Sequence, residues 1–152
     1  VIRVVLAVVL GTALVGASLP AAERAERDRN AALATDELNV LATDAERLAA
    51  RNDPVDANAS PATTTVTLRP PEPSFTDGGR FHVADGRLVW VPARGPNVSV
   101  RSEVPIRVDG SLRIESRTEL RLSLSRTDGQ AVVRVRRAGI QKESRDQPPY
   151  AG

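Results

Sequence analysis

Between Arg3 and Glu23 the chain carries no charged residue, and this gap limits what the rest of the molecule can be. Val4, Val5, Leu6, Ala7, Val8, Val9 and Leu10, then Ala13, Leu14 and Val15, make the run almost wholly apolar up to Leu19. As a helix, the nineteen uncharged residues Val4 to Ala22 would extend roughly 28 Å at ~1.5 Å per residue. The hydrocarbon layer of a bilayer is ~30 Å thick. Residues 1–22 are therefore expected to form a transmembrane anchor. Arg3 can reach the headgroups from the start of the run, and a basic residue there favours a cytoplasmic N-terminus. The expected placement is the cell membrane, single-pass, with the C-terminal domain extracytoplasmic. A signal peptide fits the same residues, with Val4–Val15 as its apolar region and Val15-Gly16-Ala17 as a small-residue cleavage site. Within the run, Ala7 and Gly11, then Ala13 and Ala17, are small residues four apart. Such spacing lets helices approach closely in lipid, although Ala and Gly are also common in membrane helices for no specific reason.

Beyond Pro20 the sequence continues as a helix, and residues 23–52 are expected to form a helical stem. Glu23 and Arg27 make an i,i+4 pair in the favourable order. Ala34, Leu38, Leu41, Ala45 and Leu48 recur at spacings of four and three, which puts them on one face that needs a cover. Asn52-Asp53-Pro54 ends the helix, because proline cannot continue it. Residues 53–62 read as a linker rich in Asp, Asn, Ala, Ser and Pro.

Residues 63–137 have strand chemistry. Thr63–Leu68 is rich in β-branched residues. Asp85-Gly86, Asp109-Gly110 and Asp128-Gly129 are tight-turn signals, since such turns need positive φ. They predict three hairpins: Arg80–Ala84 with Arg87–Val91, Val104–Val108 with Ser111–Glu115, and Thr118–Arg126 with Gln130–Arg137. Asn97–Arg101 adds a short strand, Pro105 suggests an edge, and Asp77-Gly78-Gly79 reads as a turn. Leu120, Leu122 and Leu124 alternate with Arg121 and Ser123, as Val133 and Val135 do with Arg134 and Arg136. One face is apolar and the other rich in arginine. The fold class is thus α+β: a long N-terminal helix, part membrane and part amphipathic stem, packed on a small antiparallel sheet made of hairpins. Residues 138–152 read as a disordered tail.

Catalytic signals are sparse. There is no cysteine, and His82 is the only histidine, so a zinc site has too few candidate ligands. No serine lies in a Gly-x-Ser-x-Gly elbow, and no glycine loop precedes a helix to cradle phosphate. Neither an enzyme nor a cofactor is expected. Residues 61–152 hold fifteen basic and ten acidic residues, a mildly basic balance that a solvated sheet face also explains. Nucleic-acid binding would use Arg113, Arg121, Arg134 and Arg136, but single-strand readers add aromatic platforms, and Phe75, Phe81, Trp90 and Tyr150 are the only aromatic residues. No nucleic-acid partner is expected. Asn58-Ala59-Ser60 and Asn97-Val98-Ser99 match the N-glycosylation pattern, which would suit an exterior location.

The apolar run Val4–Leu19, Pro20, the amphipathic Glu23–Arg51 and the Asp-Gly hairpins together resemble type IV pilins and pseudopilins. That resemblance implies an apolar helix packed among other helices and a sheet facing outward. Pilins carry a glutamate near the start of the run, where this chain has valine and leucine, which points to an accessory role. The opening Ile2–Leu10 and the segment Ala17–Ala21 also resemble an uncharacterised haloarchaeal family of small membrane proteins found with secretion or pilus-type ATPases. The expected function is a non-enzymatic, membrane-anchored, pilin-like accessory component of such an apparatus. Its partners would be membrane lipid and the membrane proteins of the apparatus. The alternative is a secreted or anchored domain that binds a surface ligand.

Overall fold

The computed structural model describes residues 1–56, 59–72 and 78–139, without the side chain of residue 17. Asn58 and residues 140–152 of the expected tail lie outside the described residues, while Ala138 at its start donates its N–H to the Glu119 carbonyl at 2.9 Å. The first element is a single helix, α1 (Ile2–Arg51), of 50 residues with Pro20 inside it. Fifty residues at ~1.5 Å each make a rod of about 75 Å. Its C-terminus is closed where expected. Asn52 turns to extended backbone, and its side-chain Nδ2 donates to the Leu48 carbonyl at 2.9 Å.

Eight strands follow: β1 (Thr63–Leu68), β2 (Gly79–Ala84), β3 (Arg87–Pro92), β4 (Val98–Val100), β5 (Ile106–Val108), β6 (Leu112–Ile114), β7 (Thr118–Thr127) and β8 (Gln130–Arg137). They form two four-stranded sheets, ordered β1-β7-β8-β5 and β4-β3-β2-β6. The layout is α+β, with two sheets in place of the single one expected.

Two of the three expected hairpins form: β2 with β3 across Asp85-Gly86, and β7 with β8 across Asp128-Gly129. In the second turn Asp128 and Gly129 both have positive φ, 51° and 78°, as a two-residue primed turn requires. The third does not form. β5 instead pairs in parallel with β8 (Ile106 opposite Val133), and β6 pairs with β2 in the other sheet (Ile114 opposite Phe81). The connection also differs from the turn of a two-residue hairpin. Three residues, 109–111, separate β5 from β6, where two separate the strands of each true hairpin. Gly110 takes φ +88° and turns the chain out of one sheet and into the other. β5 is an edge strand, as Pro105 suggested. Gly79 also departs from its expected role in a turn, for it opens β2. A Cβ there would lie 2.4 Å from Trp90 Cζ2, so the close approach of the indole requires glycine.

The core lies where the second half of α1 meets both sheets. From the helix it takes Ala34, Leu38, Leu41, Ala42, Ala45 and Leu48. The first sheet adds Leu68, Leu120, Leu122, Leu124, Val133 and Val135, and the second adds Phe81, Val83, Leu88, Trp90 and Ile114. Phe81 and Trp90 are cross-strand partners with ring centroids 5.2 Å apart, tilted by 58°. Burial of each large side chain contributes about 1.5–3 kcal/mol, enough together to hold a small domain.

Candidate functional site

The first surface is the apolar half of α1. It is long and apolar enough to cross a membrane, and no part of that stretch is buried in the chain. Val4, Leu6, Leu10, Leu14 and Leu19 are all more than half exposed. The hydroxyls of the run bond to their own helix: Thr12 Oγ1 donates to the Val8 carbonyl at 2.8 Å, and Ser18 Oγ to the Val15 carbonyl at 3.1 Å. Polar groups satisfied within the helix are compatible with lipid. Ala7, Gly11 and Ala13 lie exposed along this half, and a Cβ on Gly11 would have open space around it. The side chain of Ala17 lies outside the described atoms.

The stem face sits differently. Ala34, Leu38, Leu41 and Ala45 are fully buried, and Leu48 nearly so. The domain's own sheets cover them, so this stripe is core and not a free docking face. On another side of the helix Leu33 and Val40, one heptad apart, remain 43% and 50% exposed. Side chains of the stem also hold loops of the domain. Glu46 Oε1 accepts from the Glu103 N–H at 2.8 Å, and Glu37 Oε2 from the Arg69 N–H at 3.1 Å.

The third surface is the outer face of the β1-β7-β8-β5 sheet. Leu120, Leu122 and Leu124 point into the core, so Arg121 and Ser123 point out. Register sets Arg121 directly opposite Arg136, and Arg107 opposite Arg134. Thr65 stands beside Arg121 and Ser123 beside Arg134. Arg136 pairs with Asp109 at 2.8 Å, and Arg107 with Asp85 at 3.6 Å. Of the four arginines considered from sequence, Arg121, Arg134 and Arg136 come together here. Arg113 does not, because β6 belongs to the other sheet, where it lies opposite His82. Arg107 takes the fourth place. Its outward direction was legible between Ile106 and Val108, but its neighbours depended on the unforeseen parallel pairing.

A cleft of about 230 Å³ lies between the first turns of the stem (Glu23, Arg27, Asn30) and the β3–β4 end of the second sheet (Trp90, Pro92, Pro96). Glu23 and Arg27 form the foreseen ion pair there, at 3.7 Å. Asn97 is exposed just before β4, with Ser99 exposed two residues on, so the pattern is accessible at a sheet edge. Among the described residues no polar or charged residue is buried as a whole, though the Ser125 hydroxyl oxygen is shielded and makes no hydrogen bond, and no three His, Asp or Glu gather where a metal could be held. His82 is half-buried on β2 beside Val89 and Arg113.

The family model described as a domain of unknown function (DUF7311) matches residues 1–138. No curated protein and no solved structure matches the chain.

Proposed function

We propose that this chain, which belongs to the DUF7311 family, is a non-enzymatic membrane-anchored protein serving as a pilin-like accessory component of a secretion or pilus-type apparatus. The observation that carries the proposal is the division of α1. One continuous helix is apolar from Val4 to Leu19, with the described residues of that run exposed, and from Ala34 to Leu48 is a structural member of a β-rich domain. A helix built into a domain in this way transmits position rigidly from the bilayer to that domain, which suits a part that must be held at a fixed height above a membrane assembly. The N-terminus is cytoplasmic and the domain extracytoplasmic, by the charge of Arg3 ahead of the uncharged run. The apolar half makes contact with lipid and with helices of the apparatus through Ala7, Gly11, Ala13 and Ala17.

The test is affinity purification of the full chain from detergent-solubilised membranes, with the co-purifying proteins identified. A polytopic membrane protein or an assembly ATPase recovered in stoichiometric amount supports the proposal. Release of the chain by carbonate washing, or a mature N-terminus at Ser18, would defeat the anchor. A second reading, an anchored domain that binds a surface ligand, is favoured by the arginine-bearing outer sheet face.

A further inference from the structure

We propose that the outer face of the β1-β7-β8-β5 sheet is a docking surface for a linear acidic polysaccharide. The surface has a cost that folding alone does not explain. Arg121 stands directly across from Arg136, and Arg134 directly across from Arg107. Like charges directly opposite each other on a sheet face are destabilising. Carboxylates reach only one side of the patch: Asp109 pairs with Arg136 and Asp85 with Arg107. Among the described residues Arg121 and Arg134 pair with no carboxylate, and Glu119, two positions from Arg121 on β7, makes no ion pair with it.

The spacing suits a repeating linear anion. Adjacent strands lie about 4.8 Å apart, and same-face neighbours on one strand are under about 7 Å apart. The four arginines therefore form two short rows that step across three strands. Successive carboxylates of a polyuronate lie one sugar ring apart, a distance of the same order. Thr65 on β1 flanks Arg121, and Ser123 on β7 flanks Arg134 with its hydroxyl donating to the Arg134 carbonyl at 3.4 Å, so hydroxyl groups border both rows where sugar hydroxyls would lie. Base-reading and protein partners find less on this face. Among the described residues Phe81 and Trp90 are both buried, and no Phe, Trp or Tyr stands on this face as a platform for bases. The face also lacks the buried aromatic or aliphatic anchor that gives a protein interface most of its energy. The inference rests on the extracytoplasmic placement proposed above, since that is where such polymers are met.

The test uses the purified full chain in neutral detergent, with polygalacturonate as the probe and neutral dextran as control. The chain should bind polygalacturonate, with affinity falling as salt rises, and should not bind dextran. The double variant Arg121→Gln/Arg134→Gln should lose about tenfold or more in affinity, while Arg113→Gln on the other sheet should stay within about twofold. Folding of each variant is read from Trp90 fluorescence. Should the double variant not fold, Arg121→Gln alone carries the comparison. No binding, an equal loss with Arg113→Gln, or tighter binding to an oligonucleotide or to anionic vesicles would overturn the proposal. Protease accessibility of the domain in intact cells separates the two ideas. A protected domain defeats the placement and leaves the measured affinity standing, whereas absent binding defeats the surface and leaves the topology standing.

Discussion

Asp85 Oδ1 accepts a hydrogen bond from the backbone N–H of Val108 at 2.8 Å, so a residue in the turn of one sheet holds an edge strand of the other. The neighbouring backbone does the same, with the Gly86 N–H donating to the Ile106 carbonyl at 2.9 Å. β5 is thereby tied on one side to β8 and on the other to the β2–β3 turn. This explains why it leaves β6, its neighbour in sequence.

Removing the acceptor should therefore loosen the junction between the sheets. Asp85→Ala is expected to cost about 1–2 kcal/mol, the range for a backbone donor left without its partner. Asp85→Asn keeps an acceptor oxygen and should cost clearly less, because the ion pair to Arg107 is more than half exposed on both sides and contributes little. Thermal melts of the full chain in detergent decide the matter. Equal losses for the two variants would show that charge, and not the hydrogen bond, holds β5.

Leu41 has no exposed surface and lies among residues from both sheets. Leu41→Asp buries an unpaired carboxylate and should cost more than about 4 kcal/mol, a large part of the 5–15 kcal/mol typical of a whole domain. Leu41→Ala should cost about 2–5 kcal/mol. Trp90, the chain's single tryptophan, shares that core and reports the loss by its fluorescence. A variant with aspartate that melts like the native chain would return the stem stripe to the status of a free face.

The helical half of this fold was legible for a simple reason: its information is local. Ala34, Leu38, Leu41, Ala45 and Leu48 show their common face by spacing alone, and Asn52 with Pro54 marks the helix end. The two true hairpins were legible because a two-residue turn and its flanking alternation also lie within one short window. The partner of β5 was not. Alternation places Ile106 and Val108 inward and Arg107 outward, but it cannot say against which strand they lie. The sequence reading began the second strand at Ser111, so the third residue of the connection, which the structure shows, was hidden behind the Asp-Gly signal. Asp85 bonding to Val108 is a contact across 23 positions, and no local pattern records it. The arginine face was half legible for the same reason: Arg121, Arg134 and Arg136 follow from alternation, and Arg107 from pairing.

Gly110 and Arg121 offer a test of turn against surface. Gly110 has φ +88° with open space around a would-be Cβ, so substitution there is penalised by backbone conformation and not by collision. Gly110→Val should cost about 1–3 kcal/mol, as a β-branched residue is held in a region it rarely enters. Arg121→Gln should change stability by under about 0.5 kcal/mol. Its sign should be stabilising, since it removes a like charge facing Arg136. Paired melts of the two variants give the answer, and comparable destabilisation by both would contradict the assigned turn.

Gly11 provides the sharpest check on the membrane contact, because nothing in the chain itself occupies the space beside it. Gly11→Leu should leave the domain's melting unchanged, as the core begins more than twenty residues further along the helix, at Ala34. It should also leave insertion intact, since leucine is at least as apolar as glycine. A neighbouring helix packed on Ala7 and Gly11 would meet the new side chain directly, because close approach depends on small residues four apart. Co-purification of the apparatus from membranes should then fall several-fold while the amount of chain in the membrane stays the same. Leu10→Arg serves as the contrasting variant. It should cost about 2.5–3.5 kcal/mol of insertion and lower the membrane-bound amount itself. If Gly11→Leu left recovery of the partner unchanged, the contact would lie outside the bilayer, on the exposed Leu33 and Val40 side of the stem or on the sheets.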